Sequence, residues 1–244
     1  MHHATSRSFK LAIAPGVPSS RLSTLLALQR AEEPDIAITF FEVAGDDLAV
    51  GLQEGRYDAG MSLQDTSAPS LSSQPLWCEN MAVAVPPRFP LPNQAMLTVA
   101  ELLSYPVFRW QAEACPLLDQ RLSSLAPPVD QQSIQHVTSF KLLALWVAAG
   151  YGLGISAQPR IERAHEWRIT MRLPSDGPYE IVTHLQRPHR PTNAVTERFA
   201  RRALQVARAG APTTRGSRPI VSTASLLTRC NQRSAVEGSD AKQQ

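Results

Sequence analysis

The sequence predicts an α/β protein built as two lobes, each a mostly parallel sheet flanked by helices. Three observations predict it. Short β-branched and apolar runs alternate with helical segments in two successive series. The series are separated by a proline-marked crossing, Pro86-Pro87 followed by the polar RFPLPNQ. Strand, helix and strand in succession imply right-handed crossovers and a sheet covered by helices. The chain, at 244 residues with 43% hydrophobic and 18% charged, is also long enough for one large domain or two lobes with real cores.

In the first series, Phe9–Pro15 reads as a buried strand. GVPSS breaks the backbone, and SRLSTLLALQRAEE reads as a helix that stops before Pro34, with Leu22, Leu25, Leu26 and Gln29 on one face. Ile36–Val43 is the next strand. GDDLAVGLQEG follows as a short helix that Asp46 or Asp47 can cap and Gly55 can end. Tyr57–Leu63 is a third strand, and a loop rich in Ser, Pro and Gln (Gln64–Pro75) leads into a fourth, MAVAVP. The second series runs through the helix VAELLSY, the strand PVFRW, a helix opened by Pro116, the strand SIQHV, a helix over Ser139–Ala149 and the strand GLGIS. Tyr179–Gln186 then reads as a strand. NAVTERFARRALQVA reads as an amphipathic helix that packs through Val195, Phe199, Leu204 and Val206. Residues 1–7, and the polar stretch from 211 to 244, are expected to be disordered.

Charge and motifs exclude several function classes. The net charge of +3 sits wholly in residues 211–244, leaving residues 1–210 balanced, so the body has no charge excess to supply a basic face for nucleic acid. The three cysteines (Cys78, Cys115, Cys230) are odd in number and stand at no metal or redox spacing, and the histidines form no HxxxH or HxH pair. Reduced thiols, no metal and no cofactor are expected. With no signal-peptide pattern and no apolar run of the roughly 20 residues a span requires, a cytoplasmic protein off the membrane is expected. There is no G-x-S-x-G elbow, no G-x-x-x-x-G-K loop and no acid/base pair, so no residue argues for an enzyme.

The stretch VTSFKLLALWVAAGYGLGIS (Val137–Ser156) carries the most chemistry. Gly150, Gly152 and Gly154 follow a helix and open a strand, the reverse of a dinucleotide-binding turn. Gly150 fits a left-handed helix end, while Gly152 and Gly154 allow a tight turn and close lobe packing. At the other end Thr138 or Ser139 would cap the helix, leaving backbone donors and a partial positive charge beyond it. Ser19 and Ser20 open a helix in the same way after the first strand, as Cys115-Pro116 does in the second series. If the lobes face each other, these N-termini converge on one crevice suited to a small carboxylate, phosphate or sulfate. Arg109, directly after a β-type run, can offer a bidentate contact to such an anion, with Trp110 lining the cleft or packing at the hinge.

The stretches KLAIAPGVPSSRLSTLLALQRAEEPDIAITFFE, LQEGRYDAGMSL, MAVAVPPRFPL and LLALWVAAGYGLGISAQP stand in a fixed order and spacing. Over about Phe9–Ala207 this order resembles the effector-binding domain of LysR-type transcriptional regulators. The resemblance implies a two-lobed fold like that of type 2 periplasmic binding proteins, one lobe over 8–86 with 183–210 and the other over 87–182. It implies a small-molecule effector in the cleft, contacted by Ser19, Ser20, Gln64, Arg109, Thr138 and Ser139. It implies pairing into a homodimer, or a heterodimer with a LysR-type subunit. About eight residues precede the first strand where a winged helix-turn-helix would stand, so no direct DNA binding is expected from this chain. An interaction protein that pairs with intact regulators and a solute-binding protein of the same fold are the rival readings.

Overall fold

Fifteen residues, Leu71–Val85, form one continuous strand, β4, and the rest of the molecule is arranged about it. The structure is a computed structural model and describes residues 8–65, 68–89, 96–113, 115–125, 134–189 and 193–209. The two segments expected to be disordered, 1–7 and 211–244, lie outside the described residues.

The first lobe is built on β1 (Ser8–Ile13), which pairs in parallel with β2 (Ala37–Glu42) and β3 (Ala59–Ser62). Helices α1 (Ser19–Glu32) and α2 (Gly45–Gln53) make the crossovers. The second lobe has the same plan. β6 (Val107–Trp110) lies in parallel between β7 (Ile134–Val137) and β8 (Leu153–Ala157), with α4 (Pro116–Leu125) and α5 (Phe140–Ala148) as crossovers. Smaller elements complete it: β5 (Met96–Leu97), α3 (Val99–Leu102), α6 (Gln158–Arg163), a 3-10 turn over His165–Trp167 and β9 (Thr170–Pro174).

Two antiparallel strands join the lobes. β10 (Glu180–Pro188) pairs with β3 on one side and β4 on the other, and β4 then pairs with β8 and β9 through residues 81–85. The path is β2-β1-β3-β10-β4-β8-β6-β7. The final helix, α7 (Ala194–Ala209), returns to the first lobe and packs on α1, with the Phe199 ring 4.8 Å from that of Phe9.

Burial follows the sequence pattern. Leu22, Leu25 and Gln29 are the buried face of α1, and Val195, Phe199 and Val206 are buried on α7 with Leu204 half-buried. One apolar cluster runs from Phe9, Leu25 and Phe199 to Val107, Leu118 and Leu153, through Trp77 and Met81 of β4. Each such side chain contributes roughly 1.5–3 kcal/mol by leaving water.

Two local expectations are corrected. The fourth strand starts at Leu71, inside the stretch expected to be a loop, because Leu71–Pro75 pairs with Pro188–His184. Pro75, which has no N–H to donate, is accommodated where the register shifts between Thr183 and His184. Neither Asp46 nor Asp47 caps α2: Ala44 holds the N-cap without a side-chain bond, and both aspartates sit in the first turn, where the helix dipole favours them. Gly152 and Gly154 allow close packing within the second lobe. A Cβ on Gly152 would stand 2.2 Å from the Pro106 carbonyl oxygen, and one on Gly154 would stand 2.5 Å from Leu143 of α5. Gly150, at φ +83°, follows the end of α5 in the left-handed conformation expected of it.

Candidate functional site

The carboxyl ends of β1, β6 and β8 deliver their connecting segments to one place between the lobes. The turn after β1 contains Gly16, whose φ of +91° sends the chain against the loop after β6. The approach is so close that a Cβ there would stand 2.5 Å from the Ala112 carbonyl oxygen. α1 leaves this turn at Ser19, α5 begins nearby after its cap, and α6 follows β8 directly with Pro159 in its first turn.

A cavity of about 500 Å³ opens there, with Ser19, Ser20, Lys141, Arg163, Glu166 and Trp167 in its wall beside Phe140, Pro159 and Arg160. Three cations, Lys141, Arg160 and Arg163, thus face one carboxylate, Glu166. Beneath them Glu113 is 2% exposed and accepts from Ser156 Oγ at 3.0 Å, the Ala157 amide at 3.3 Å and Arg160 Nε at 2.9 Å. Burial pushes the Glu113 carboxyl above its ordinary range, and the Arg160 charge and these donors oppose that. Arg160 also stacks 4.5 Å above the Trp110 ring. Glu79 of β4 is likewise buried and raised by desolvation, and accepts from Ser20 Oγ at 3.1 Å.

The residues singled out from sequence separate into groups. Ser19 and Ser20 line the cavity, but neither caps α1, whose N-cap is Pro18; Ser19 Oγ accepts from Arg163 at 3.2 Å. Ser139 is the N-cap of α5, its hydroxyl accepting from the Leu142 amide at 3.3 Å. Thr138 is exposed, and its carbonyl accepts from Trp110 Nε1 at 3.0 Å. Both precede the cavity-lining pair Phe140 and Lys141. Arg109 stands outside the cavity wall, 7% exposed and ion-paired with Asp119 of α4. Gln64 is also outside it, its carbonyl accepting from the Gln186 side chain at 2.8 Å.

Sequence reasoning missed Glu113, Lys141, Arg160 and Arg163. The last two sit on α6, six residues that give no periodicity; its one signal is a proline just after the strand GLGIS. Glu113 has no local signal, because its partners lie more than 40 residues away. Among the described residues, no cluster of three or more His, Cys, Asp or Glu could hold a metal ion, and no helix is long and apolar enough to cross a membrane.

Comparison with known proteins adds a family. Residues 2–208 match the family model described as the LysR substrate binding domain. Among solved structures, the BenM effector binding domain with its effector benzoate superposes with a TM-score of 0.70 at 16% identity, over 87% of this chain and 99% of that one. The effector binding domain of QuiR in complex with shikimate gives 0.71 at 15%, over 83% and 98%. A reduced form of OxyR from N. meningitidis gives 0.69 at 19%, over 82% and 95%. At such identities the likeness is one of fold. No curated protein matches the chain significantly in sequence.

Proposed function

Since the chain belongs to the LysR substrate-binding domain family, we propose that it is a sensor whose effector is a small anionic metabolite held between the lobes. The observation that carries this is the cavity wall of about 500 Å³, where Lys141 and Arg163 stand beside Arg160, itself paired with Glu113, and Glu166 is the one lining carboxylate. A space of that size suits a small molecule, and the Arg fork matches a carboxylate or phosphate edge. Benzoate and shikimate, bound to the BenM and QuiR domains, are themselves carboxylates.

The lobes are assigned to 8–86 with 183–210 and to 87–182, with β4 and β10 crossing between them and β4 changing partners between Asn80 and Met81. The domain acts by binding and not by turnover, in the cytoplasm: the ligand favours one lobe arrangement, and a dimer partner senses it. Ser19, Ser20 and the N-terminus of α5 at Thr138-Ser139 lie on the ligand side. Arg109 and Gln64 act at its margin, through Asp119 and Gln186. Leu142, Leu145, Trp146 and Tyr151, exposed on and just after α5, support pairing with a second copy or with a LysR-type subunit.

Thermal unfolding against carboxylates, amino acids, aromatic acids and inorganic anions tests this. A true ligand at 100 times its dissociation constant adds about 2.7 kcal/mol, a rise of roughly 5–10 °C for a domain of this size. A rise confined to one class of anion supports the reading. A panel without any rise, from folded and dimeric protein, replaces it with an interaction protein.

A further inference from the structure

Two arginines of α6 already span the cleft. Arg160 and Arg163 lie three residues apart and share a helix face. Arg160 Nη2 donates to the Gly16 carbonyl of the first lobe at 3.0 Å, while its Nε holds Glu113 of the second at 2.9 Å. Its guanidinium is fixed over Trp110 at 4.5 Å and lies 5.5 Å from the Phe140 ring centre. Arg163 Nη1 donates to Ser19 Oγ, again in the first lobe, at 3.2 Å. The turn they grasp is the one that Gly16 presses against Ala112.

We propose that α6 is a latch, in which Arg160 and Arg163 hold the β1–α1 turn against the 110–113 loop, and Glu113 is the positioning residue that aims Arg160. The acceptors decide how the latch would be released. Across the cleft both arginines bond neutral oxygens, a carbonyl and a hydroxyl. An anion adds to the hydrogen bond a Coulomb attraction for the guanidinium that a neutral carbonyl or hydroxyl lacks. An anion entering the cavity therefore displaces Gly16 and Ser19 from the arginines. Glu113 stays, since it is buried on the second-lobe side and fixed there by Ser156 and the Ala157 amide. The displaced turn is the start of α1, so the effector acts first on the first lobe. This contest rests on the anion-site reading above; the latch does not.

Hydrogen exchange read by mass spectrometry on the full chain tests both. Without added anion, Arg160→Gln is expected to speed exchange several-fold over residues 14–20 and 111–113, while β4 and β10 keep their wild-type rates. Arg163→Ala, at an exposed position, gives a smaller increase confined to residues 17–20. Should Arg160→Gln fail to fold, Arg160→Lys keeps the charge but cannot reach Glu113 and Gly16 together, and is expected to act in the same direction. Unchanged rates in the folded Arg160 variant and in Arg163→Ala overturn the latch. Sodium benzoate is then titrated into the wild type. Faster exchange over 14–20 supports displacement, and slower exchange there overturns it. If the variants loosen the turn and benzoate, like the rest of the anion panel, leaves the wild type unchanged, the latch stands and the anion-site reading falls.

Discussion

Ser20, in the first turn of α1, donates its hydroxyl to the carboxylate of Glu79 on β4 at 3.1 Å, and so ties the helix to the strand that runs through both lobes. Ser19 beside it points instead to Arg163 across the cleft. Ser20→Ala leaves Glu79 buried without that donor and is expected to cost about 1–3 kcal/mol. Ser19→Ala, exposed, is expected to cost about 0.5 kcal/mol or less. Urea unfolding of the two variants checks the order.

Ser139→Ala removes the cap of α5 and should cost about 0.5–2 kcal/mol. With the N-terminus of α5 on the ligand side, effector affinity is expected to fall as well. Calorimetric titration with the effector found in the anion panel decides whether Ser139 is more than a cap.

Arg202 of α7 is 7% exposed and donates to Glu32, Glu33 and Gln29 of α1. Arg202→Leu strands these acceptors and is expected to cost roughly 3 kcal/mol. Burial pushes the Glu33 carboxyl up, but donors from Arg198, Gln29 and Arg202 together hold it below its ordinary value. A depressed carboxylate stabilises the fold above its unfolded pKa and loses that contribution as pH falls through the folded one. The deficit of Arg202→Leu should therefore shrink below about pH 4.5, read from unfolding midpoints across an acid series.

His184 of β10 is 8% exposed, with Nδ1 3.3 Å from Ser73 Oγ and 3.8 Å from Asp65. Burial holds its pKa below 6.5, and the opposing pull of Asp65, largely exposed, is too weak to reverse that. The unfolded ring takes up a proton before the folded one, so stability should fall as pH drops from about 6.5 toward the folded pKa. His184→Gln should lack that slope when unfolding midpoints of the two proteins are compared over the same range.

Gly150 and Gly152 should differ sharply. Gly150→Ala meets nothing within 4 Å and suffers only its left-handed backbone, at about 1–2 kcal/mol. Gly152→Ala drives a methyl into the Pro106 carbonyl, which backbone movement alone can relieve, and should cost about 3 kcal/mol or more. Thermal midpoints of the pair measure the difference.

The strand–helix alternation made β1, α1, β2, α2 and β3 legible in the sequence, because each buried face repeats at its own period, as Leu22, Leu25 and Gln29 do on α1. What escaped was short or non-local. Leu71–Pro75 carries turn-forming residues and becomes a strand only because β10 pairs with it. α6 has too few residues to show a period, and its arginines gain their role from Gly16 and Ser19, more than 140 positions earlier. Arg109 was legible only by position: its place after a β-type run was clear, but its ion-pair partner Asp119 is set by the docking of α4.

β4 has a mechanical consequence. At about 3.3 Å per residue its fifteen residues make a rod some 50 Å long. Its first ten residues are riveted to β10, and the last five to β8 and β9. Between Asn80 and Met81 there is neither a loop nor a glycine to absorb a rotation. Any twist applied at one end is therefore carried along the backbone as torsion, and Glu79, one residue before the change of partners, is where Ser20 takes hold of the shaft.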